Sequence, residues 1–322
     1  MAGQTIEQVA WMAFYILIFP GALFTSVVGL FLAGVDRKVI AHMQRRIGPP
    51  IIQPVYDFFK LMGKETIIPH AANKFFFLAA PVIGFVSLAI IMLFIPIFGF
   101  TAVSGSADLI VILYLVTIGG VALIIGGSAS GSPYAGIGIS REMVTMMSYE
   151  LPFVLVLLAV ARKVGGSTLV FSMEQISEWQ VANGHMIFHW SMIPAAIAFL
   201  LVIPAEVGMQ PFDVAEAETE ICEGPLVEYS GAPLGLFKLN TAMKMIIMTG
   251  LFTSLFLGQF RTGYVWGDAL LFVAICTVLT ILCMTTVHAV TARLKIEHLF
   301  KFYWTIVTGL ALSSLILVWL GL

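Results

Sequence analysis

The sequence predicts an all-α polytopic membrane protein, a bundle of about eight transmembrane helices with an amphipathic helix and an acidic loop helix on its cytoplasmic side. Three observations lead there. Of 322 residues, 60% are hydrophobic and only 11% are charged, whereas soluble chains carry roughly 25% charged residues. The mean hydropathy is +1.01. Eight apolar segments can be drawn, at 9–34, 75–98, 108–128, 142–161, 190–205, 234–259, 266–291 and 302–321. Each is near the roughly 20 residues that cross a hydrocarbon core. With these helices and their connections the chain is used up, so one transmembrane helical domain over 1–322 is expected.

The first segment has no Lys or Arg before it and is too long for a signal-peptide core, so it reads as a retained helix. Placing the N-terminus outside puts 13 of the 16 basic residues on the inner side and leaves Arg162, Lys163 and Arg261 on the outer side. That bias sets the orientation, with both termini outside. The first inner connection, VDRKVIAHMQRRIGPPIIQPVYDFFKLMGKETIIPHAANK, is too long for a passive turn. Its VYDFFKLMGKE stretch sets Val55, Phe58, Phe59 and Met62 against Asp57, Lys60 and Lys64, the pattern of an interfacial amphipathic helix. Two readings stand: an anchor to anionic lipid, or a docking surface on which Arg37, Lys38, Arg45, Arg46, Asp57 and Lys60 meet a cytoplasmic subunit.

The second inner connection, GGSASGSPYAGIGIS, reads as a flexible, closely packed loop. Its Gly136-x-Gly138 lacks the strand before it and the third glycine of a dinucleotide site. Glu142 and Glu150 follow on the fourth helix, about 80° apart around its axis. An ionisable residue inside a membrane is a functional candidate by default, while Glu142 also has Arg141 as an interfacial partner. The fifth segment is short and carries Pro194 and Pro204, which fits a kinked helix. Before it, the outer connection 163–189 predicts a short surface helix with Glu174, Gln175 and Glu178 exposed.

Between the fifth and sixth segments lies EVGMQPFDVAEAETEICEGPLVEYSG, with Glu206, Asp213, Glu216, Glu218, Glu220, Glu223 and Glu228, seven of the 18 acidic residues. Pro211 at a helix start and Gly224-Pro225 at its end predict a short helix over 211–223. On it Asp213, Glu216, Glu220 and Glu223 share an arc of about 80°, with Glu218 opposite. Such a stripe is either a solvated acidic face or a titrating path for protons or a cation. Lys244, inside the sixth segment, needs an anionic partner to stay charged, and Glu206, Glu142 and Glu150 are the candidates.

Cys222, Cys276 and Cys283 form no CxxC pair, so the chain offers no iron–sulfur or zinc set. The net charge of −2 argues against nucleic acid. His185 and His189 are four apart but have no Cys or carboxylate at ligand spacing.

Three motifs, DRKVIAHMQRRIGPPIIQP, GSPYAGIGISREM with SYE, and PFDVAEAETEICEGPLVEYSG, resemble in order those of the membrane subunit that anchors the redox arm in respiratory complex I and in energy-converting membrane-bound nickel–iron (NiFe) hydrogenases. GSPYAGIGISRE and EGPLVEYSG resemble the hydrogenase branch, including formate hydrogenlyase, more than the quinone-reducing one. The resemblance implies an eight-helix, non-catalytic anchor in a prokaryotic plasma membrane. Its inner loops would dock hydrogenase-type large and small subunits, and antiporter-like subunits would adjoin it. The NiFe centre and iron–sulfur clusters would lie in partners, with no cofactor in this chain, and quinone belongs only to the alternative branch. By motif, Glu142, Glu150, Glu206, Asp213, Glu216, Glu218 and Glu220 would form an acidic path, joined by Glu223 and Lys244 on the reading of the residues alone. The path would couple electron transfer to H⁺ or Na⁺ translocation. A free-standing transporter is the rival from another class.

Overall fold

The computed structural model describes residues 11–98, 101–103, 105–166, 168–258 and 264–321. The side chains of 218, 219, 265 and 266 are not among those described, and Arg261 also lies outside the described residues. Among the described residues the fold is all-helical, and eight helical stretches are long and apolar enough to cross a membrane.

The first span, Trp11–Met43, is interrupted near Pro20 and continues as α1 (Ala22–Met43). It runs nine residues beyond the expected end at 34, so Asp36, Arg37 and Lys38 sit on the helix and not in the connection. The amphipathic helix forms as α2 (Gln53–Met62) with Pro54 in its first turn. Its apolar residues divide. Phe58, Leu61 and the Met62 sulfur reach toward Gly235, while Tyr56 and Phe59 stay exposed, so of the face expected for Val55, Phe58, Phe59 and Met62 it is Phe59 that turns away. Next come α3 (Lys74–Phe94) and α4 (Asp108–Ser130), packed against one another, and α5 (Pro133–Gly165).

At 33 residues α5 is about 50 Å long, well beyond a hydrocarbon core of about 30 Å. The flexible loop expected before residue 142 is therefore corrected: from Pro133 onward it is helix, with proline at a position where its missing N–H costs nothing. Gly138 is there for packing. A Cβ on it would stand 2.6 Å from Pro225 Cδ and 2.9 Å from Gly224 Cα. The outer connection folds as α6 (Met173–Asn183), with Glu174, Gln175 and Glu178 exposed as expected. The Asp108 carboxylate accepts the Met173 N–H at 3.0 Å and ties this cap to α4.

The fifth span is a 3₁₀ turn at Trp190–Met192 followed by α7 (Ile193–Val207). After it the predicted helix over 211–223 does not form. The α-helical part of that stretch is the single turn α8 (Glu218–Ile221), and the chain then turns through left-handed backbone at Cys222 (φ 50°) and Glu223 (φ 67°). Glu220 and Asp213 are drawn in different directions, to Arg141 on α5 and to Arg293. One helical face could not serve both. Tyr229 closes the segment, its ring stacked 4.0 Å from that of Phe77 and its hydroxyl donating to the Phe77 carbonyl at 3.1 Å.

The sixth span contains α9 (Gly231–Phe252), which contacts α1, α2, α3 and α7. Of the eight spans it has the lowest hydropathy, 1.3, and the highest burial, 89% of its most apolar window. A helix surrounded by protein can carry Asn240, Thr241 and Lys244 because its neighbours, not lipid, supply their partners. The bundle closes with α10 (Val265–Thr280), α11 (Thr286–Val290), α12 (Ile296–Phe302) and α13 (Thr308–Trp319), π turns joining α10 to α11 and α12 to α13. The last span starts at Ile296, so Lys301 lies on it and only 291–295 connects.

Candidate functional site

The central feature is a buried ion pair. Glu206 lies in the last turn of α7 and is 5% exposed; Lys244, near the middle of α9, is 9% exposed. Lys244 Nζ donates to Glu206 Oε1 at 3.1 Å and to the Glu206 carbonyl at 3.1 Å. A carboxylate at a helix C-terminus faces the negative end of the dipole, and the ammonium offsets both that charge and an unsatisfied terminal carbonyl. Of the three carboxylates the sequence offered to Lys244, Glu206 is thus the direct partner.

The other two stand around the pair. Glu142, half-buried, interacts with Lys244 and Glu206. Arg141, its expected interfacial partner, instead reaches Glu220 and donates to the Val214 carbonyl at 3.4 Å. Buried Tyr149 and half-buried Glu150 stand within electrostatic reach of Glu206, and Thr117 Oγ1 donates to Glu150 Oε1 at 3.3 Å. Tyr149 belongs to the SYE motif, yet sequence reasoning gives it no role, because a lone aromatic in an apolar helix carries no signal of its own.

Glu142, Glu206 and Lys244 line a cavity of about 40 Å³ together with Asp213 and Glu216. At roughly 10–15 Å³ of such volume per water it has room for a short water chain. Glu216 also lines a second cavity of about 240 Å³, with Asp36, Arg37, Glu223 and Lys238. It therefore stands between an inner and an outer chamber. Burial, with Glu142, Asp213 and Glu223 nearby, pushes its carboxyl up to about 7, against the weaker opposing pull of Lys244.

The remaining acidic residues of the segment are engaged by other groups, Asp213 although it lines the smaller cavity. Asp213 takes a forked pair of bonds from Arg293, Nε at 3.1 Å to each oxygen and the terminal nitrogen at 2.8 Å. Glu220 is on the surface with Arg141, and Glu223 faces the outer chamber. The four-carboxylate stripe is therefore not present as such, and only Glu216 of the four reaches both chambers. The Glu218 side chain is not among those described.

Sequence reasoning misses Asp36. It is 2% exposed on α1, and Thr285 Oγ1 donates to it at 2.7 Å. The signal was present: a carboxylate within the extended first helix, hidden because that helix was expected to end at 34. Among the basic residues, Arg37 pairs with Asp57 at 3.0 Å, Lys38 donates to the Gly48 carbonyl at 3.2 Å, and Arg46 bonds Gln44. Partial burial favours the neutral form of Asp57, but the hydrogen bonds from Gln53 and Arg37 outweigh it and hold the carboxyl below its usual range. Arg45 and Lys60 are exposed.

A family model described as NADH dehydrogenase matches residues 14–319. A subunit of the NADH-quinone oxidoreductase of Geobacillus kaustophilus is 32% identical, over 98% of this chain and 97% of its own length. The protein of the same name from Rubrobacter xylanophilus is 30% identical over 95% of this chain and 94% of its own. Among solved structures, a chain of the membrane-bound sulfane sulfur reductase, an archaeal respiratory membrane complex, superposes with a TM-score of 0.82 at 30% identity, covering 92% of this chain and 96% of that one. Matched along nearly its whole length, the chain belongs to the NADH dehydrogenase family and is a multi-pass membrane subunit of the complex I-like respiratory complexes.

Proposed function

We propose that this subunit anchors a cytoplasmic redox arm and couples its electron transfer to movement of H⁺ or Na⁺ in neighbouring membrane subunits. The observation that carries the reading is the line Glu216, Glu142, Lys244–Glu206, Tyr149, Glu150, which runs from the outer chamber into the bundle beside a water-sized cavity. Glu216, with its carboxyl near 7, gains or loses a proton with little change in conditions. Its charge acts on Glu142 and Lys244, and theirs on Glu206. A redox event that alters the outer chamber would in this way be felt as charge at Glu150. Asp213 and Glu220 serve as clamps for the loop. Docking falls to the basic end, where Arg45 and Arg46 precede Ile47, 99% exposed, an apolar residue suited to a protein contact. That end faces the cytoplasm of a prokaryotic cell in this reading.

Within the family we place the chain in the hydrogenase-like branch, on GSPYAGIGISRE and EGPLVEYSG, with large and small hydrogenase-type subunits holding the NiFe centre and iron–sulfur clusters. The likeness to a respiratory complex named for sulfane sulfur supports an acceptor other than quinone. A quinone-reducing complex is the second reading, favoured by the name that its relatives in Geobacillus and Rubrobacter share. Purifying the intact complex separates them. Nickel in the large subunit with hydrogen evolution insensitive to quinone analogues is the expected result; quinone reduction without nickel would overturn the branch assignment and leave the coupling role standing.

A further inference from the structure

Asn240 stands one turn before Lys244 on α9 and is 6% exposed. Its Nδ2 donates to the Pro81 carbonyl on α3 at 3.2 Å, and Gly84 makes that approach possible, since a Cβ there would stand 2.7 Å from the same nitrogen. A carbonyl only accepts, so the amide faces Pro81 with its nitrogen and its oxygen points away. That oxygen, Oδ1, is buried and accepts no hydrogen bond among the described residues. A buried acceptor left unpaired is costly, so a donor belongs beside it.

Asn240 lines the cavity of about 40 Å³ with Glu142, Thr145, Glu216, Thr241 and Lys244. The polar wall these six make is unbalanced. Thr145 Oγ1 donates to the Arg141 carbonyl at 2.8 Å and Thr241 Oγ1 to the Phe237 carbonyl at 3.3 Å, so toward the cavity both hydroxyls can only accept. Once the carboxyls are ionised, only Lys244 has a donor to spare: two of its three N–H groups go to Glu206, and the third has no acceptor among the described residues. Side chains on a helix lean toward its N-terminus, so Lys244 leans back over the turn that carries Asn240. Glu142 interacts with Lys244, yet among the described residues only Glu206 pairs with that ammonium within 4.0 Å. A guest that fits must donate to several acceptors and accept from one ammonium.

We propose that Asn240 is a positioning residue of the acidic line, its Oδ1 holding an ordered water against the Lys244 ammonium so that this water bridges Lys244 to Glu142. Water donates twice and accepts from the ammonium, which is what the wall requires. A sodium ion meets the acceptors but is repelled by Lys244 in the same small, buried space. The bridge lets the charge of Glu142 reach the Lys244–Glu206 pair through hydrogen bonds. Pro81 sets the geometry twice over: its carbonyl orients the amide, and its missing N–H frees the Phe77 carbonyl that Tyr229 takes at 3.1 Å. The inference rests on the coupling role proposed above and adds to it a residue without charge.

The test is electron cryomicroscopy of the intact complex at a resolution that shows ordered water, with ions moved per turnover measured on the same preparation in liposomes. In the wild type a peak is expected at hydrogen-bonding distance, about 2.7–3.2 Å, from both Asn240 Oδ1 and Lys244 Nζ. Asn240→Leu, close in volume but without an acceptor, is expected to lose the peak and to lower the ions moved per turnover about threefold, the loss of one bridged hydrogen bond, while electron transfer persists. Asn240→Ser keeps an oxygen, leaves room for a further water and should recover most of the coupling. A wild-type map with no peak there, or with a peak ringed at shorter distance by oxygens alone as a metal cation is, would overturn the proposal without any variant having to assemble. So would full coupling in Asn240→Leu. A wild-type complex that moves no ions would overturn the coupling role instead, and the map would still decide whether Asn240 holds the water.

Discussion

Lys244 and Glu206 stabilise the bundle only as a pair. Two charges removed from water gain little over a well-packed apolar pair, but removing one partner strands the other. Lys244→Ala leaves Glu206 buried at the end of α7 and is expected to cost about 3–5 kcal/mol. It should appear as a lowered unfolding temperature of the purified complex, partly recovered by adding Glu206→Gln. Glu216 is a different kind of residue, half-buried and placed to titrate. Its carboxyl is raised, so below about pH 7 it is mostly neutral and above it mostly anionic. Ion translocation per turnover should therefore change across that pH in the wild type. Glu216→Gln, fixed neutral, should flatten the profile and reduce coupling while assembly persists. Full pumping with an unchanged pH profile in Glu216→Gln would remove Glu216 from the path.

At the scale of elements, the loop after α7 is the informative one. It makes little regular structure, yet it is clamped on two sides: Asp213 by Arg293, with the Leu294 N–H donating to the Pro211 carbonyl at 3.2 Å, and Glu220 by Arg141. The Arg293 clamp is the more sheltered, its side chains 24% and 12% exposed, and hydrogen bonds between charged groups in such a place are worth roughly 1.5–3 kcal/mol. Asp213→Asn should accordingly raise amide exchange across 211–214 while the spans keep their protection. The extension of α5 matters as much. Its Gly138 lets the turn at Gly224–Leu226 lie directly on the helix. Gly138→Ala forces backbone apart and is expected to cost about 1–3 kcal/mol, with turnover falling as the loop shifts off α5. Unaltered loop protection in that variant would mean the contact is dispensable.

For the whole molecule, the least apolar span is the one at the centre, and the site is built where α5, α7 and α9 meet. The acidic line reaches half-buried Glu150, and in the proposed reading the subunit passes charge to its neighbours without conducting ions itself. The chain alone in liposomes should then pass no ions, and flux from it by itself would favour the transporter reading. Hydropathy alone determined the eight spans, because each 20-residue apolar run has a single low-cost place to go. The helix α2, the short helix α6 and the need of Lys244 for a carboxylate were legible for similarly local reasons of length, periodicity and charge. Tertiary structure decided what periodicity cannot see. It chose Glu206 among three carboxylates, drew Arg141 to Glu220, and broke the 211–223 helix. The reason is physical: a charge in a low-dielectric bundle takes whichever opposite charge packing brings within reach, and that energy exceeds the helix propensity of a dozen residues.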